Sequence, residues 1–375
     1  MLLFLLLLAA ATIIFINWNP GSSENDDSST TSALGNSAIT QSSALDGNSE
    51  SSAMSESSGT DLNDLTPAAE RDISDLTVET FNTMMIVGNS GYRYFEFSES
   101  NSITYIDMIA DAAQTMSDKT IYSLICPTAT DIMLPQSFLA DKETSDQQKA
   151  LDYLTASINT VGPSVKTVAL FDVLKAHCNE DIYFKTDRNW TALGAYYAYT
   201  RFTAVKGLTP IQLSDCEKYE YSEFRGSLYS QSNSHFALEE TETLIAYKPP
   251  FSASVKITNT SGETFDSGLI VNVTDYDASM KYCAFLGGDY PYILVQNNDI
   301  TDGSACIVIE ETMGTAMVPF LAAHYQYVHV VDYRYWSGNL KTLAEENNVT
   351  DILFINSIEH TSDYDANISL KGLFS

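Results

Sequence analysis

The chain is poor in the residues that build metal sites and disulfide frameworks. Its 375 residues include five cysteines and five histidines, and no two cysteines form a C-x-x-C pair. Scattered cysteines in odd number signal neither a disulfide framework nor a zinc site. So few histidines also argue against a His-rich metal centre. We therefore expect neither a metal nor a cofactor.

Basic residues are scarce, with 19 Lys and Arg against 49 Asp and Glu, and the formal net charge is −30. A nucleic-acid binder needs a basic face for phosphate contact, so nucleic acid is excluded as an expected partner. Residues 21–77 contain eleven acids and one base, Arg71, which leaves the rest of the chain strongly acidic as well. The hydrophobic fraction of 44% is that of an ordinary globular core.

An apolar run from Leu2 to Ile16 opens the chain, with Trp18 at its edge. This length is near the lower limit for a membrane-spanning helix, and tryptophan suits the membrane interface. Residues 1–18 are predicted to be a signal-anchor or a cleaved signal peptide, although the long run and the lack of a small-x-small site weaken the second reading. We expect an extracytoplasmic protein with a single membrane pass, or a secreted protein if the segment is cleaved.

Residues 19–77 have the composition of a disordered linker. Residues 21–60 contain fourteen serines, and no aromatic residue lies between Trp18 and Phe81. Such a segment is too polar to offset the entropy of ordering, so it is predicted to tether the domain that follows.

Residues 78–375 alternate short apolar runs with helical patterns, which predicts an α/β domain with a parallel sheet. A polar stretch at about 219–298, rich in Thr, Ser, Tyr and Val, is predicted to be a β-rich insertion. The predicted strands are 84–88, 121–126, 305–310, 328–333 and 351–356, and the longest predicted helices are 102–116, 145–161 and 191–205.

The segment EDIYFKTDRNWTALGAYYAY, residues 180–199, resembles the DHHW protein family, whose name describes an Asp-His-His-Trp motif. The likeness covers roughly residue 78 to the C-terminus. It implies an SGNH-like three-layer domain related to alginate O-acetyltransferase-type domains. It also implies a cell-envelope glycan as the partner, with a membrane O-acyltransferase as a second one. Further blocks in family order are 87–95, 122–135, 223–232 and 306–336.

The resemblance implies a catalytic triad in which the second His of the motif is the base, the Asp orients it, and a Ser after a later strand is the nucleophile. Asp187 stands at the Asp, Arg188 and Asn189 at the two His positions, Trp190 at the Trp, and Thr312 at the Ser. An Asn amide does not titrate near neutral pH, so it cannot replace imidazole as a base. We therefore predict a catalytically degraded domain, a pseudoenzyme, in which Asp187 serves as a helix N-cap.

Two other functions remain open. One is an active O-acetylesterase or acetyltransferase that uses Thr312, or Ser90 with His360. The other is a surface glycan-binding or adhesion module. Asp332 and Arg334 lie where a parallel strand ends, the edge that ligands favour, so they are candidate ligand-binding residues, as are Arg188 and Trp190. For Asp332 and Arg334, an internal ion pair is the favoured interpretation. A glycan-binding groove is one hypothesis for tyrosines 92, 94, 196, 197, 199, 333 and 335, and core packing explains most of them equally well.

Overall fold

The computed structural model describes residues 68–374. The predicted signal-anchor at 1–18 and residues 19–67 of the predicted linker lie outside the described residues, so both remain predictions. Between residues 68 and 374, no helix is sufficiently long and apolar to cross a bilayer.

Within residues 68–374, the strands form three sheets, of eight, three and two strands. Their bounds are β1 (Val78–Phe81), β2 (Met84–Val87), β3 (Ser90–Arg93), β4 (Thr120–Cys126), β5 (Val165–Thr167), β6 (Glu217–Phe224), β7 (Glu242–Lys248), β8 (Ala253–Thr258), β9 (Thr264–Ser267), β10 (Tyr292–Asn297), β11 (Ala305–Glu310), β12 (Tyr327–Asp332) and β13 (Asp351–Ser357).

The helices alternate with the strands of the eight-stranded sheet. The α-helices are α1 (Glu99–Thr115), α2 (Ala129–Met133), α3 (Gln136–Leu139), α4 (Gln147–Ile158), α5 (Phe171–Ala176), α6 (Ala192–Lys206), α7 (Ser227–Gln231), α8 (Thr312–Thr315), α9 (Val318–Leu321), α10 (Leu340–Glu346), α11 (Ile358–Thr361) and α12 (Tyr364–Gly372). Short 3-10 helices occur at Leu213–Asp215, Phe236–Leu238 and Ala278–Ala284.

The eight-stranded sheet has the order β5-β4-β13-β11-β12-β10-β8-β9. Its first five strands run parallel, which confirms the predicted α/β architecture. Every residue of β11 and β13 is buried. Because successive strand residues point to opposite faces, both faces of the sheet are covered at its centre. Two-sided burial explains why these strands are continuous apolar runs in the sequence.

The predicted β-rich insertion is for the most part a continuation of this sheet. Strands β8, β9 and β10 extend it in antiparallel fashion, so the sheet is mixed rather than wholly parallel. In β10 the residues alternate between buried and partly exposed positions, as expected for a strand covered on one face. Strands β6 and β7 pair with each other as a separate hairpin.

The domain begins before the predicted boundary at residue 78. Asn179 Nδ2 donates a hydrogen bond to Ala69 O over 2.9 Å, and Gln136 N donates one to Glu70 Oε1 over 2.9 Å. Ile73 packs against the core. Residues 68–77 therefore lie on the domain, although the sequence assigned them to the linker.

The strand predicted at 84–88 exists as β2, but it lies outside the main sheet. It pairs with β1 and β3 in a small antiparallel sheet. All four residues of β2 are buried, which gives it the same apolar signature as a central parallel strand. Periodicity cannot distinguish the two arrangements, because both bury consecutive residues.

The aromatic-rich helix predicted at 191–205 is α6. Its N-cap is Thr191, whose Oγ1 accepts a hydrogen bond from Gly194 N over 3.3 Å. The helix ends at Gly207, which takes the left-handed conformation with φ of +79°. The prediction that Asp187 caps this helix is wrong, because Thr191 is the N-cap. Asp187 lies in the turn that precedes the helix, and its carboxylate accepts hydrogen bonds from Asn189 N and Ser227 N.

Candidate functional site

Polar residues gather where the parallel strands end. Strands β4, β13, β11 and β12 are neighbours and run in one direction, so their carboxyl ends share one edge of the sheet. Ligand sites of open α/β sheets lie outside this edge. Two adjacent glutamates, Glu310 and Glu311, end β11 and follow it, and both are buried.

A short hairpin carries the motif residues to this edge. Tyr183 and Trp190 form an isolated antiparallel bridge, and the residues between them form the turn. Trp190 is buried, and its Nε1 donates a hydrogen bond to Met313 O over 2.8 Å. Arg188 Nη2 donates one to Glu311 Oε2 over 3.1 Å. These two contacts join the chain on either side of Asn189 to the chain on either side of Thr312.

Asp187 holds the hairpin in place through backbone groups. Its Oδ1 accepts from Asn189 N over 2.8 Å, and its Oδ2 accepts from Ser227 N over 2.7 Å. Gly226 packs so closely on Asp187 that an added Cβ would come within 2.2 Å of the Asp187 Cβ. The carboxylate thus orders the hairpin turn and the start of α7, and an imidazole is not its partner.

Asn189 is the residue that the resemblance assigns to the position of the family's base. The residue is buried, and within residues 68–374 its Oδ1 has no hydrogen-bond partner. All five histidines fall in the described part of the chain, and each has a partner other than Thr312. These partners are Glu180 for His177, Glu79 for His235, Tyr199 for His324, Tyr292 for His329 and Glu311 for His360.

Thr312, which the resemblance assigns to the position of the family's nucleophile, is held by charged groups. Its Oγ1 donates a hydrogen bond to Asp289 Oδ2 over 2.6 Å. Arg334 Nη2 donates to the same Thr312 oxygen over 3.2 Å and to Asp289 Oδ2 over 2.8 Å. The hydroxyl therefore lies between a carboxylate and a guanidinium group.

These groups belong to an acid-rich cluster, which we call the Arg334 cluster: Arg334, Asp289, Asp332, Glu310 and Thr312. Arg334 Nη2 lies 2.6 Å from Asp332 Oδ2, and Arg334 Nε donates to Asp332 Oδ1 over 2.9 Å. Burial and the neighbouring charges of Asp332 and Asp289 raise the pKa of Glu310 well above its ordinary value. Burial also raises the pKa of Asp332, against the opposing effect of Arg334.

Glu311 belongs to a second group of charged residues, which we call the Arg188 cluster: Arg188, Glu311, His360, Arg93 and Glu359. Glu311 Oε1 lies 2.6 Å from His360 Nδ1 and accepts from Ser357 N over 2.7 Å. Burial opposes its ionisation, but the hydrogen bond from His360 and the charges of His360 and Arg188 outweigh burial. The pKa of Glu311 is consequently lowered.

The structure separates the predicted ligand-binding residues into two groups. Trp190 and Asp332 are buried, so Asp332 takes the role of an internal ion-pair partner of Arg334. Arg188 and Arg334 are partly exposed, with side-chain exposures of 30% and 28%. Both arginines can therefore meet a ligand, whereas the other two lie beneath the surface.

The alternative nucleophile Ser90, with His360, and the tyrosine groove are both affected by burial. Ser90 is buried at the start of β3, and the hydrogen bond of His360 goes to Glu311. Of the tyrosines considered for a glycan-binding groove, Tyr335 is 51% exposed and Tyr94 is partly exposed, whereas the following are buried, which favours the core-packing alternative for them: Tyr92, Tyr196, Tyr197, Tyr199 and Tyr333. These rings fill the core, as aromatic residues commonly do.

Sequence reasoning missed Asp289 and Arg93. Asp289 follows Gly287 and Gly288, which have φ of +96° and +110°. That Gly-Gly pair signals a turn, but a turn signal does not reveal that the next residue reaches Thr312. Arg93 is a lone arginine at the end of β3 and gave no signal. In the described residues, no group of three or more His, Cys, Asp or Glu side chains is arranged to hold a metal ion.

The domain has a parallel sheet core with an antiparallel extension. The hairpin that contains Asp187 crosses the polar edge at the carboxyl ends of the parallel strands. This arrangement is that of an SGNH-like α/β domain. A crystal structure of a DHHW family protein from Eubacterium siraeum is 22% identical, covers 80% of this chain and 98% of its own, and has a TM-score of 0.71. PatB1 of Bacillus cereus, solved with a sulfonyl adduct, is 18% identical and has a TM-score of 0.63. The match covers 81% of this chain and 100% of the PatB1 chain. These likenesses show the fold.

A family model described as DHHW protein matches residues 27–331. The chain belongs to the DHHW protein family, which confirms the resemblance drawn from residues 180–199. A comparison with curated proteins found no match. The O-acetyltransferase domain of Pseudomonas putida AlgJ is a weaker structural match, with 12% identity and a TM-score of 0.41. This match covers 79% of this chain and 99% of the AlgJ chain, and it carries no argument here.

Proposed function

We propose that this protein is a membrane-tethered, extracytoplasmic SGNH-like domain that has lost the family's triad and serves in cell-envelope glycan modification related to O-acetylation. The observation that carries the proposal is the partnering of Thr312. Its hydroxyl bonds to Asp289 and Arg334, and every histidine of the chain is bonded elsewhere.

Acyl transfer to a hydroxyl requires a group that removes the hydroxyl proton as the bond to the carbonyl carbon forms. Asn189 cannot do so at any ordinary pH, since its amide is not a base. Loss of the base removes several orders of magnitude from the rate of such reactions. A domain with this site would bind its partner glycan, or a membrane O-acyltransferase, without turning over an ester.

One observation favours a second candidate, an O-acetylesterase or acetyltransferase that uses Thr312. The 2.6 Å contact between Thr312 Oγ1 and Asp289 Oδ2 provides a proton acceptor, and Arg334 provides a cation beside the oxygen. A carboxylate is a weak base for an alcohol, because general-base catalysis is most efficient when the pKa of the base is near the operating pH. We therefore rank this candidate second.

The two candidates are separated by acetyl-ester turnover of the full chain, measured beside Thr312→Ala. We expect the wild type and Thr312→Ala to be indistinguishable, and we expect a sulfonyl fluoride to leave Thr312 unmodified. Turnover that is abolished by Thr312→Ala and by Asp289→Asn would establish the second candidate. Turnover gained by the double variant Asn189→His, Thr312→Ser would show that the remainder of the site is intact.

A further inference from the structure

Strand β1 has a free edge. It is the outer strand of the three-stranded sheet, it pairs with β2, and among residues 68–374 no strand lies on its other side. On the β2 side, Gly88 N donates to Thr77 O over 2.8 Å. Backbone groups alternate in direction along an antiparallel strand, so the N–H and C=O groups of Val78 and Thr80 point away from β2. Such a row of unpaired groups is a template for another extended segment.

This edge is open to solvent and is not protected in the usual ways. Residues 74–80 are all exposed, and Leu76 and Val78 reach 47% and 44%. Natural proteins commonly protect an edge strand with lysine, proline or a covering element. The sequence of β1, VETF, contains neither lysine nor proline, and its one charged residue is Glu79. The edge is therefore accessible to an added strand.

An exposed phenylalanine stands beside this edge. The 3-10 helix at Phe236–Leu238 packs on β2, yet Phe236 itself is 73% exposed. Its ring stacks on His235, with ring centroids 4.7 Å apart, and the His235 ring contacts Phe81 at 5.8 Å. His235 Nε2 also lies 3.3 Å from Glu79 Oε2. An aromatic face and a carboxylate therefore lie next to the same stretch of β1.

The surroundings of this edge are acidic. Residues 72–82 contain three acids and residues 233–243 contain three more, and neither segment contains a lysine or an arginine. Glu240 Oε2 accepts a hydrogen bond from Asn89 Nδ2 over 3.1 Å, which holds that carboxylate at the β2–β3 turn. Carboxylates and exposed aromatic faces both attract lysine and arginine side chains. A second copy of the chain would instead bring two acidic edges together, which is unfavourable.

We propose that the free edge of β1 binds an extended, lysine- or arginine-bearing polypeptide segment of a partner protein as an added strand. The backbone groups of Val78 and Thr80 provide the main-chain hydrogen bonds of such an addition, and Glu79 and Phe236 receive a basic side chain. This interaction is independent of the proposed function, because it uses no residue of the motif or of the two arginine clusters.

A labelled peptide of alternating lysine and valine, Lys-Val-Lys-Val-Lys-Val, tests the proposal when its fluorescence anisotropy is followed during titration with the full chain. We expect saturable binding that weakens with added salt. The same peptide with glutamate in place of lysine should not bind. The basic peptide with every backbone nitrogen methylated should bind about tenfold more weakly, because it lacks the donors of a strand.

Three variants test where the peptide binds. Val78→Pro removes an N–H that points away from β2, so it should weaken peptide binding about tenfold and leave the β1–β2 pairing intact. Glu79→Gln and Phe236→Ser should each weaken binding about two- to fivefold, as expected for an exposed ion pair or cation–π contact. The matched control is Phe265→Ser, which removes a phenylalanine of β9 that is 42% exposed and should change nothing.

Hydrogen exchange of the wild type keeps the test decisive if Val78→Pro does not fold. The amides of Val78 and Thr80 should exchange more slowly when the basic peptide is bound, and those of β9 should not change. The proposal is overturned if the basic peptide does not bind, if the glutamate or methylated peptide binds as tightly, or if both amides keep their exchange rates. A dimer in sedimentation velocity that Val78→Pro abolishes would also overturn it, since the edge would then bind a second copy.

Discussion

The two arginine clusters at the carboxyl edge share one strand end but differ in charge balance. Strand residues alternate in direction, so the adjacent Glu310 and Glu311 enter different clusters. Glu311 meets Arg188, His360 and a backbone N–H, and its pKa is lowered. Glu310 lies among more carboxylates than the single Arg334 can neutralise, and its pKa is raised. Burial favours a raised pKa at both carboxyl groups, and the neighbours decide whether this effect is offset, as at Glu311, or reinforced, as at Glu310.

This difference bears on catalysis, because Thr312 belongs to the acid-rich cluster. An acyl transfer builds negative charge on the attacking oxygen and on the carbonyl oxygen, and catalytic sites stabilise it with donors. Around Thr312, two carboxyl groups, those of Asp289 and Asp332, share the single guanidinium group of Arg334. The carboxyl groups beside the hydroxyl therefore disfavour negative charge on its oxygen. The Arg188 cluster has the donors, but it does not contain the hydroxyl.

The largest expected effect is from Glu311→Ala. This change leaves Arg188 and His360 without their shared carboxylate, and breaking a buried pair costs about 3–5 kcal/mol. We expect a loss of that size in the free energy of unfolding, measured with denaturant. Glu239→Ala, at an exposed position, should change it little. A loss below about 1 kcal/mol for Glu311→Ala would show that the Arg188 cluster does not depend on its carboxylate.

In the Arg334 cluster, Glu310→Gln should instead raise the free energy of unfolding at alkaline pH. Because the pKa of Glu310 is raised in the folded state, the folded protein holds a proton that the unfolded chain releases above about pH 4.5. The wild type therefore loses stability as pH rises from about 4.5 through the raised pKa of Glu310. The variant should be about 1–3 kcal/mol more stable at pH 8 and equal to the wild type near pH 4. Unfolding curves at both pH values measure this.

Glu239→Gln is the control for that experiment, since its side chain is exposed. It should leave the pH dependence of stability unchanged. If Glu310→Gln destabilises the protein equally at pH 4 and pH 8, the side chain is held by its shape and not by its proton.

The smallest expected effect is the coupling between Arg93 and Glu359. Both side chains are partly exposed, at 30% and 21%, and such ion pairs contribute about 0.2–1 kcal/mol. A double-mutant cycle with Arg93→Met and Glu359→Gln should give a coupling energy in this range that falls with added salt. A coupling above about 2 kcal/mol would make the pair a structural element comparable to the Glu311 pairs.

The central strands were predictable because their two-sided burial leaves a continuous apolar run, as in β11 and β13. The separate sheet of β1–β3 was not, since the apolar residues of β2 look the same in either sheet. The triad positions were assigned through the motif. The binding partners of these positions were not, since Asp289 and Arg334 are 45 residues apart in the sequence and meet only in the folded chain.

The amino-acid sequence alone determined the chemical types present: Asn189 and Thr312 at the positions that the resemblance assigns to the base and the nucleophile, and an excess of acid. Those facts are local, so they can be read from single positions. Folding determined which charges surround each group, because a pKa depends on distances of a few ångströms between residues far apart in the chain. It thereby placed Thr312 beside Asp289 and Arg334, and Glu311 between Arg188 and His360.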